Sequence, residues 1–95
     1  MDMPNNPLFK LGQVLVTPGA IEVLRASGHS AWVFLARHLR GDWGELSAED
    51  KRLNDEAVKD GGRILSSYTA ATGTKLWVIT EADRSATTLL LPDEY

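Results

Sequence analysis

The chain has no cysteine, which removes disulfides, thiolate nucleophiles and tetrahedral thiolate zinc sites together and suits a protein of a reducing compartment. Histidine is scarce, with two in the chain and no repeat of histidine or carboxylate at metal-ligand spacing, so no metal centre and no cofactor are expected. Long apolar runs are missing as well. The longest, Ala31 to Ala36, is six residues, against about 20 for a bilayer-spanning helix. The start, Met1 to Phe9, carries neither a basic stretch nor an apolar run, so a signal peptide is not expected and cytoplasmic residence, away from membranes, is. Basic charge is also in deficit. A formal net charge of −3 argues against a partner bound through its phosphates, because that mode needs a basic stripe that releases counterions; direct nucleic-acid binding is therefore not expected.

What is present is an ordinary globular composition: 43% hydrophobic and 24% charged over 95 residues, far from the composition of disordered chains. This length suits one core and leaves no room for a second. The expectation is a flexible N-terminal segment over residues 1–11 and a single α+β domain over residues 12–95.

Local signals order the elements. Gly12 to Thr17 is short, apolar and β-branched, a strand that suits a sheet edge. Thr17-Pro18 supplies a capping hydroxyl and a proline at the first helical position, starting a helix over Pro18 to Ala26 that Gly28 stops. A second helix from Ser30 to Leu39 places Trp32, Leu35, Ala36 and Leu39 on one stripe. Gly41-Asp42-Trp43-Gly44 reads as a tight turn. Ser47 then caps a polar helix over Ala48 to Lys59, and Gly61-Gly62 ends it without the lysine of a phosphate-binding loop. Three strand-like runs follow, Arg63 to Thr69, Lys75 to Thr80 and Ala86 to Leu91. Short turns join them, so antiparallel pairing is the topology expected. The expected fold class is α+β: a short N-terminal strand, three helices, then a three-stranded antiparallel meander packed against the helices.

Three places could carry chemistry. The turn Glu81-Ala82-Asp83-Arg84-Ser85, flanked by Thr80, Thr87 and Thr88, is the densest run of functional groups, and a hairpin tip presents side chains on a rigid scaffold. The alternative is local: Asp83 closes an Asx turn and Arg84 pairs with Glu81. Arg63, at the start of its strand, forms an anion-binding pocket if it reaches Glu81 or Arg84, or else snorkels to solvent. His38, four residues before Asp42, suits a general base oriented by a carboxylate, or a histidine that satisfies the carbonyls at the end of its helix. Trp43, between glycines, is either an exposed anchor for a partner or a lid that folds back on the core. Finally, Glu45 to Asp60 holds six acids (Glu45, Glu49, Asp50, Asp55, Glu56, Asp60) against three bases, an acidic face suited to a basic partner unless it is simply a solvated helix face.

Several of these residues fall in one string: Gly41-Asp42-Trp43-Gly44, then Asn54, then Arg63-Ile64-Leu65-Ser66-x-Tyr68, then Trp77-Val78-Ile79-Thr80-Glu81-x-Asp83-Arg84-Ser85-x-Thr87-Thr88, then Leu91-Pro92-x-Glu94-Tyr95. The string resembles a family of small bacterial proteins without assigned activity, carried on plasmids, integrative elements and phages. The likeness runs from about Gly12 to Tyr95, and the segment from Thr80 to Thr88 is its most specific part. It implies a mobile-element accessory role, a class that includes anti-CRISPR and anti-restriction inhibitors. The C-terminal third also resembles barnase-type ribonucleases. Arg63-Ile64-Leu65 is similar to a strand of that family, and Asp83-Arg84 stands where its catalytic histidine would be, with arginine in place of the general acid.

Three functions are therefore expected, in this order. The first is a binding module that inhibits a host protein or complex through Asp42, Trp43, Asn54, Arg63, Tyr68, Glu81, Asp83, Arg84, Ser85, Thr87 and Thr88, or through the acidic face Glu45, Glu49, Asp50, Asp55 and Glu56. The second is a metal-independent nuclease or phosphate-handling enzyme using His38, Arg63, Glu81 and Arg84. The third is a homodimeric accessory protein whose first or last strand extends the sheet across a two-fold axis.

Overall fold

The structure is a computed structural model that describes residues 6–95; the earlier part of the segment expected to be flexible lies outside the described residues. The elements in chain order are β1 (Gln13–Val16), α1 (Pro18–Ser27), α2 (Ala31–Leu39), α3 (Ala48–Asp60), β2 (Ile64–Thr69), β3 (Lys75–Thr80), β4 (Ala86–Leu90) and a final 3-10 turn, Pro92–Glu94. Each helix begins after a capping hydroxyl, Thr17 and Ser47 as expected and Ser30 in addition. Thr17 Oγ1 accepts from the Ala20 amide at 3.2 Å, Ser30 Oγ from Trp32 at 3.1 Å and Ser47 Oγ from Asp50 at 3.1 Å, each satisfying an amide that the first turn cannot. Among the described residues no helix is long and apolar enough to cross a membrane.

The α+β class holds, but the sheet is mixed and larger than the expected three-stranded meander, because β1 joins it. It has four strands in the order β1-β4-β3-β2. The hairpins β2–β3 and β3–β4 are antiparallel, and β1 lies parallel to β4, with Gln13 beside Ala86 and Val16 beside Leu89. A parallel neighbour needs a long crossover, here supplied by the three helices and two strands between β1 and β4.

Period-two alternation divides the sheet into two faces. Ile64, Ser66, Tyr68, Leu76, Val78, Thr80, Thr87 and Leu89 form the helix-covered face, all 0–1% exposed. On that side Ala20 and Leu24 of α1 and Phe34 and Leu35 of α2 close the main core. The buried stripe of α2 is Phe34, Leu35, His38 and Leu39, shifted from the predicted one: Trp32 and Ala36 stand at its half-buried margin. Within the segment expected to be flexible, Phe9 and Leu11 are half-buried while Leu8 and Lys10 stay exposed. The Leu8 amide donates to the Leu39 carbonyl at 2.9 Å, and Leu11 lies against the core.

The far edge of the sheet, β2, is closed in two ways. The Asn54 side chain of α3 acts as a short stretch of extra strand: its amide nitrogen donates to the Leu65 carbonyl at 2.7 Å, and its oxygen accepts from the Leu65 amide at 3.2 Å. Two residues on, the Ser67 amide donates to the Trp43 carbonyl at 3.1 Å and the Glu45 amide to the Ser67 carbonyl at 2.7 Å. This second contact requires glycine at position 44, whose φ is 77° and where a Cβ would collide with the Ser67 carbonyl oxygen and the Tyr68 ring. Asn54 is thus 6% exposed for a structural reason.

Candidate functional site

The four residues expected to cooperate in catalysis divide into a buried one, an inward-turned one and a surface pair. His38 is fully buried. Its Nδ1 lies 2.6 Å from Ser66 Oγ and its Nε2 lies 2.9 Å from Thr80 Oγ1; Thr80 Oγ1 lies 2.7 Å from Thr87 Oγ1, which donates to the Leu11 carbonyl at 2.7 Å. The carbonyl can only accept, and with the imidazole neutral this fixes every proton in the chain. The Thr87 hydrogen goes to Leu11, so Thr87 accepts from Thr80. Thr80 then has no hydrogen left, so His38 Nε2–H donates to it, and the unprotonated Nδ1 accepts from Ser66. A neutral imidazole of one defined tautomer thus links α2 to three strands and to the segment before β1. Burial, with a smaller contribution from the charge of Arg84, pushes its pKa down to about 3. The predicted alternatives for His38 were a base beside Asp42 and a helix-end histidine bonded to carbonyls. The side chain is neither: both nitrogens serve hydroxyls, and Asp42 faces elsewhere.

Arg84 sits at φ 61° and turns its guanidinium inward. It donates to the carbonyls of Gly62 at 2.6 Å, Ala57 at 2.9 Å and Glu81 at 3.2 Å. The Ala57 carbonyl belongs to the last turn of α3 and Gly62 follows its cap, so a cation sits where the helix dipole is negative. Its partner in Glu81 is the backbone and not the predicted carboxylate. The Phe9 ring touches both Arg84 and His38, with the guanidinium 5.6 Å from its centroid and the imidazole edge-on at 5.1 Å. Asp83 accepts from the Ser85 amide at 3.0 Å, an Asx closure, and the Ser85 hydroxyl and amide hold its carboxyl below the usual range. Thr87 is buried in the His38 chain, whereas Thr88 lies half-buried on the opposite face of the sheet. Arg63 and Glu81 do meet, at 3.6 Å on the surface, and Arg63 also donates to the Tyr95 hydroxyl.

The turn before α3 has the same inward character. Asp42 accepts from Arg37 Nε at 2.7 Å and Nη2 at 3.3 Å, and from the Gly44 amide at 3.3 Å. The Arg37 hydrogen bonds hold its carboxyl below the ordinary range. The same guanidinium lies 4.4 Å over the Tyr68 ring, and the Tyr68 hydroxyl donates to the Asp42 carbonyl at 2.6 Å; burial raises the phenol to about 12. Trp43 is 4% exposed, so it is the lid and not the exposed anchor. Its Nε1–H donates to Asp55 at 2.9 Å, and its ring lies against Phe9 and His38. Arg37, Ser66 and Phe9 carry much of this arrangement and were not among the candidate residues. Sequence signals existed for Phe9, a lone aromatic just before an apolar strand, and for Ser66, which alternation sets between Ile64 and Tyr68.

The acidic face is the most open of the predicted sites. Glu49, Asp50, Asp55, Glu56 and Asp60 are exposed on α3. Arg52 bridges Glu49 at 2.6 Å and pairs with Glu56. Glu45 stands apart, accepting from Thr69 at 2.7 Å and Lys75 at 3.0 Å. Between α3 and the outer face of β2 runs a cleft of about 300 Å³ lined by Leu46, Asp50, Leu53, Asn54, Arg63 and Leu65. Leu53, at its rim, is 48% exposed. An apolar floor with one carboxylate and one guanidinium at the margin suits a protruding apolar side chain with a charged neighbour. Among the described residues no group of three or more histidine and carboxylate side chains is placed to hold a metal ion. Comparison with protein-family models, curated proteins and solved structures finds no match.

Proposed function

We propose that this chain is a small acidic binding module that acts in the cytoplasm, docking the α3 face and its cleft onto a basic protein surface. Within that reading its role is that of a mobile-element accessory protein, and its target is a host defence nuclease complex of the CRISPR or restriction type. The observation that carries the docking reading is the contrast between two sets of polar residues. Those of the 81–85 turn and the 41–45 turn are engaged within the fold, whereas Asp50 and the Arg52-paired Glu49 and Glu56 face solvent beside an exposed leucine and an apolar cleft. An acidic face speeds encounter with a basic groove and competes for the site that would otherwise hold phosphates. The nuclease alternative has less support, because a sealed His38 has no route to a substrate proton.

The test is inhibition of DNA cleavage by purified CRISPR and restriction complexes, at low and at high salt. The expected result is inhibition of one complex that weakens with salt and is lost in the triple variant Glu49→Lys, Asp50→Lys, Glu56→Lys and in Leu53→Asp. Asp55 is left intact because it holds the Trp43 indole. Inhibition by the triple variant equal to that of the parent chain overturns the α3 assignment, and failure to inhibit any complex overturns the target class.

A further inference from the structure

The two edges of the sheet are treated differently. Asn54 and residues 43–45 cover β2, but among the described residues β1 lacks that protection: within Gln13–Val16 there is no charge and no proline, and Val14 and Leu15 are 42% and 43% exposed. The ladder shows which backbone groups are open. The Gln13 amide donates to the Ser85 carbonyl and the Thr17 amide to the Leu89 carbonyl, both at 3.0 Å. Alternate residues of a parallel strand face the same neighbour, so Gln13, Leu15 and Thr17 address β4 while Val14 and Val16 turn their N–H and C=O groups outward.

Only an extended backbone matches those groups, and β1 itself is such a backbone with a self-complementary register. An antiparallel copy centred on Leu15 places Val14 opposite Val16 of the partner subunit and Val16 opposite Val14 of the partner subunit. Both are hydrogen-bonded pairs, which gives four backbone bonds. Leu15 then falls on the axis beside Leu15 of the partner subunit, and two half-exposed leucines cover each other. Side chains at Val14 and Val16 share the face of Thr87 and Leu89, where a groove of about 380 Å³ lined by Phe9, Leu11, Val14, Trp32 and Leu39 opens beside Val14. That groove receives apolar side chains from the added strand. Charge does not oppose the pairing. Although the chain is acidic overall, no acid lies between Met3 and Ile21, and the single charge there, Lys10, sits toward opposite ends of the paired strands in the two copies.

We propose that two copies of this chain join through β1, antiparallel about a two-fold axis at Leu15, to make one continuous eight-stranded sheet. This surface is separate from the α3 face, so either assignment can fail without the other.

Sedimentation equilibrium tests the assembly. The expected species has twice the chain mass of 10.4 kDa, and Leu15→Lys, which sets two like charges against each other on the axis, raises the dimer dissociation constant about tenfold or more. Leu53→Lys, on the far side of the molecule, leaves it unchanged. A second readout uses the absence of native cysteine. Residues facing in a non-hydrogen-bonded pair have Cα atoms about 4.5 Å apart, within disulfide range, so Leu15→Cys oxidises to a covalent dimer while Leu53→Cys does not. A monomer at every concentration overturns the proposal, as does a dimer indifferent to Leu15→Lys, or cross-linking of Leu15→Cys no faster than that of Leu53→Cys.

Discussion

Acid should unfold this protein earlier than its carboxylates alone dictate, because of His38. In the fold its imidazole is neutral, with a pKa of about 3; in the unfolded chain it returns to about 6.5. The folded value is the lower one, so the unfolded state takes up the proton first as pH falls. The contribution of the neutral site is complete above about pH 6.5 and is lost progressively down to about pH 3. At about pH 5 the protonated form of the unfolded histidine outweighs the neutral form about 30-fold, so stability falls by about 2 kcal/mol between about pH 7.5 and about pH 5. The carboxyls of Asp42, Glu45, Asp83 and Glu94, held low by Arg37, Thr69, Ser85 and Thr17 respectively, act in the same direction but chiefly below about pH 4.5. Urea titrations followed by tryptophan fluorescence at the two pH values measure the difference. His38→Gln retains an acceptor for Ser66 and a donor for Thr80 but does not titrate, so it should be less stable at neutral pH yet lose the slope in that window. A parent chain equally stable at both pH values, or a glutamine variant with the parent slope, refutes the sealed neutral imidazole.

Three further outcomes follow from the engaged polar groups. Asn54→Leu leaves the Leu65 amide and carbonyl facing an apolar side chain and should cost about 2–4 kcal/mol in urea unfolding. Gly44→Ala forces a Cβ into the Ser67 carbonyl at positive φ and should cost more than about 2 kcal/mol; hydrogen exchange at the Ser67 and Glu45 amides should rise with it. Arg84→Ala removes three carbonyl contacts and should cost about 2–3 kcal/mol, while Arg84→Gly, freed from the positive-φ penalty, should melt above the alanine variant by about 1 kcal/mol of stability.

Much of the fold was legible because its signals are local. Thr17 and Ser47 announce their helices by chemistry acting within three residues, and the Thr72-Gly73-Thr74 turn determines its hairpin. The pairing of β1 with β4 was not legible, because nothing near Gln13 refers to Ala86, more than seventy residues on in the chain. The alternation in β2 did place Ile64, Ser66 and Tyr68 together, and it also put a serine on an otherwise apolar face. That serine is the trace in the sequence of the His38 chain, which becomes visible only when α2 crosses the sheet. Arg84 shows the opposite failure. A dense cluster of polar residues at a hairpin tip looks the same whether its groups face solvent or reach back to the end of a helix, and only the position of Gly62 and Ala57 decides between the two.

The closure of β2 by Asn54 and Gly44 sets a limit on growth. A sheet that accepts strands at both margins propagates without end, as in amyloid. Here a carboxamide and a turn occupy one margin, so a chain added at the other finds nothing beyond it to extend. Under the proposed pairing through β1, association through backbone ladders therefore stops at two molecules, and loss of Asn54 should do more than soften the fold: it should open a route to filaments.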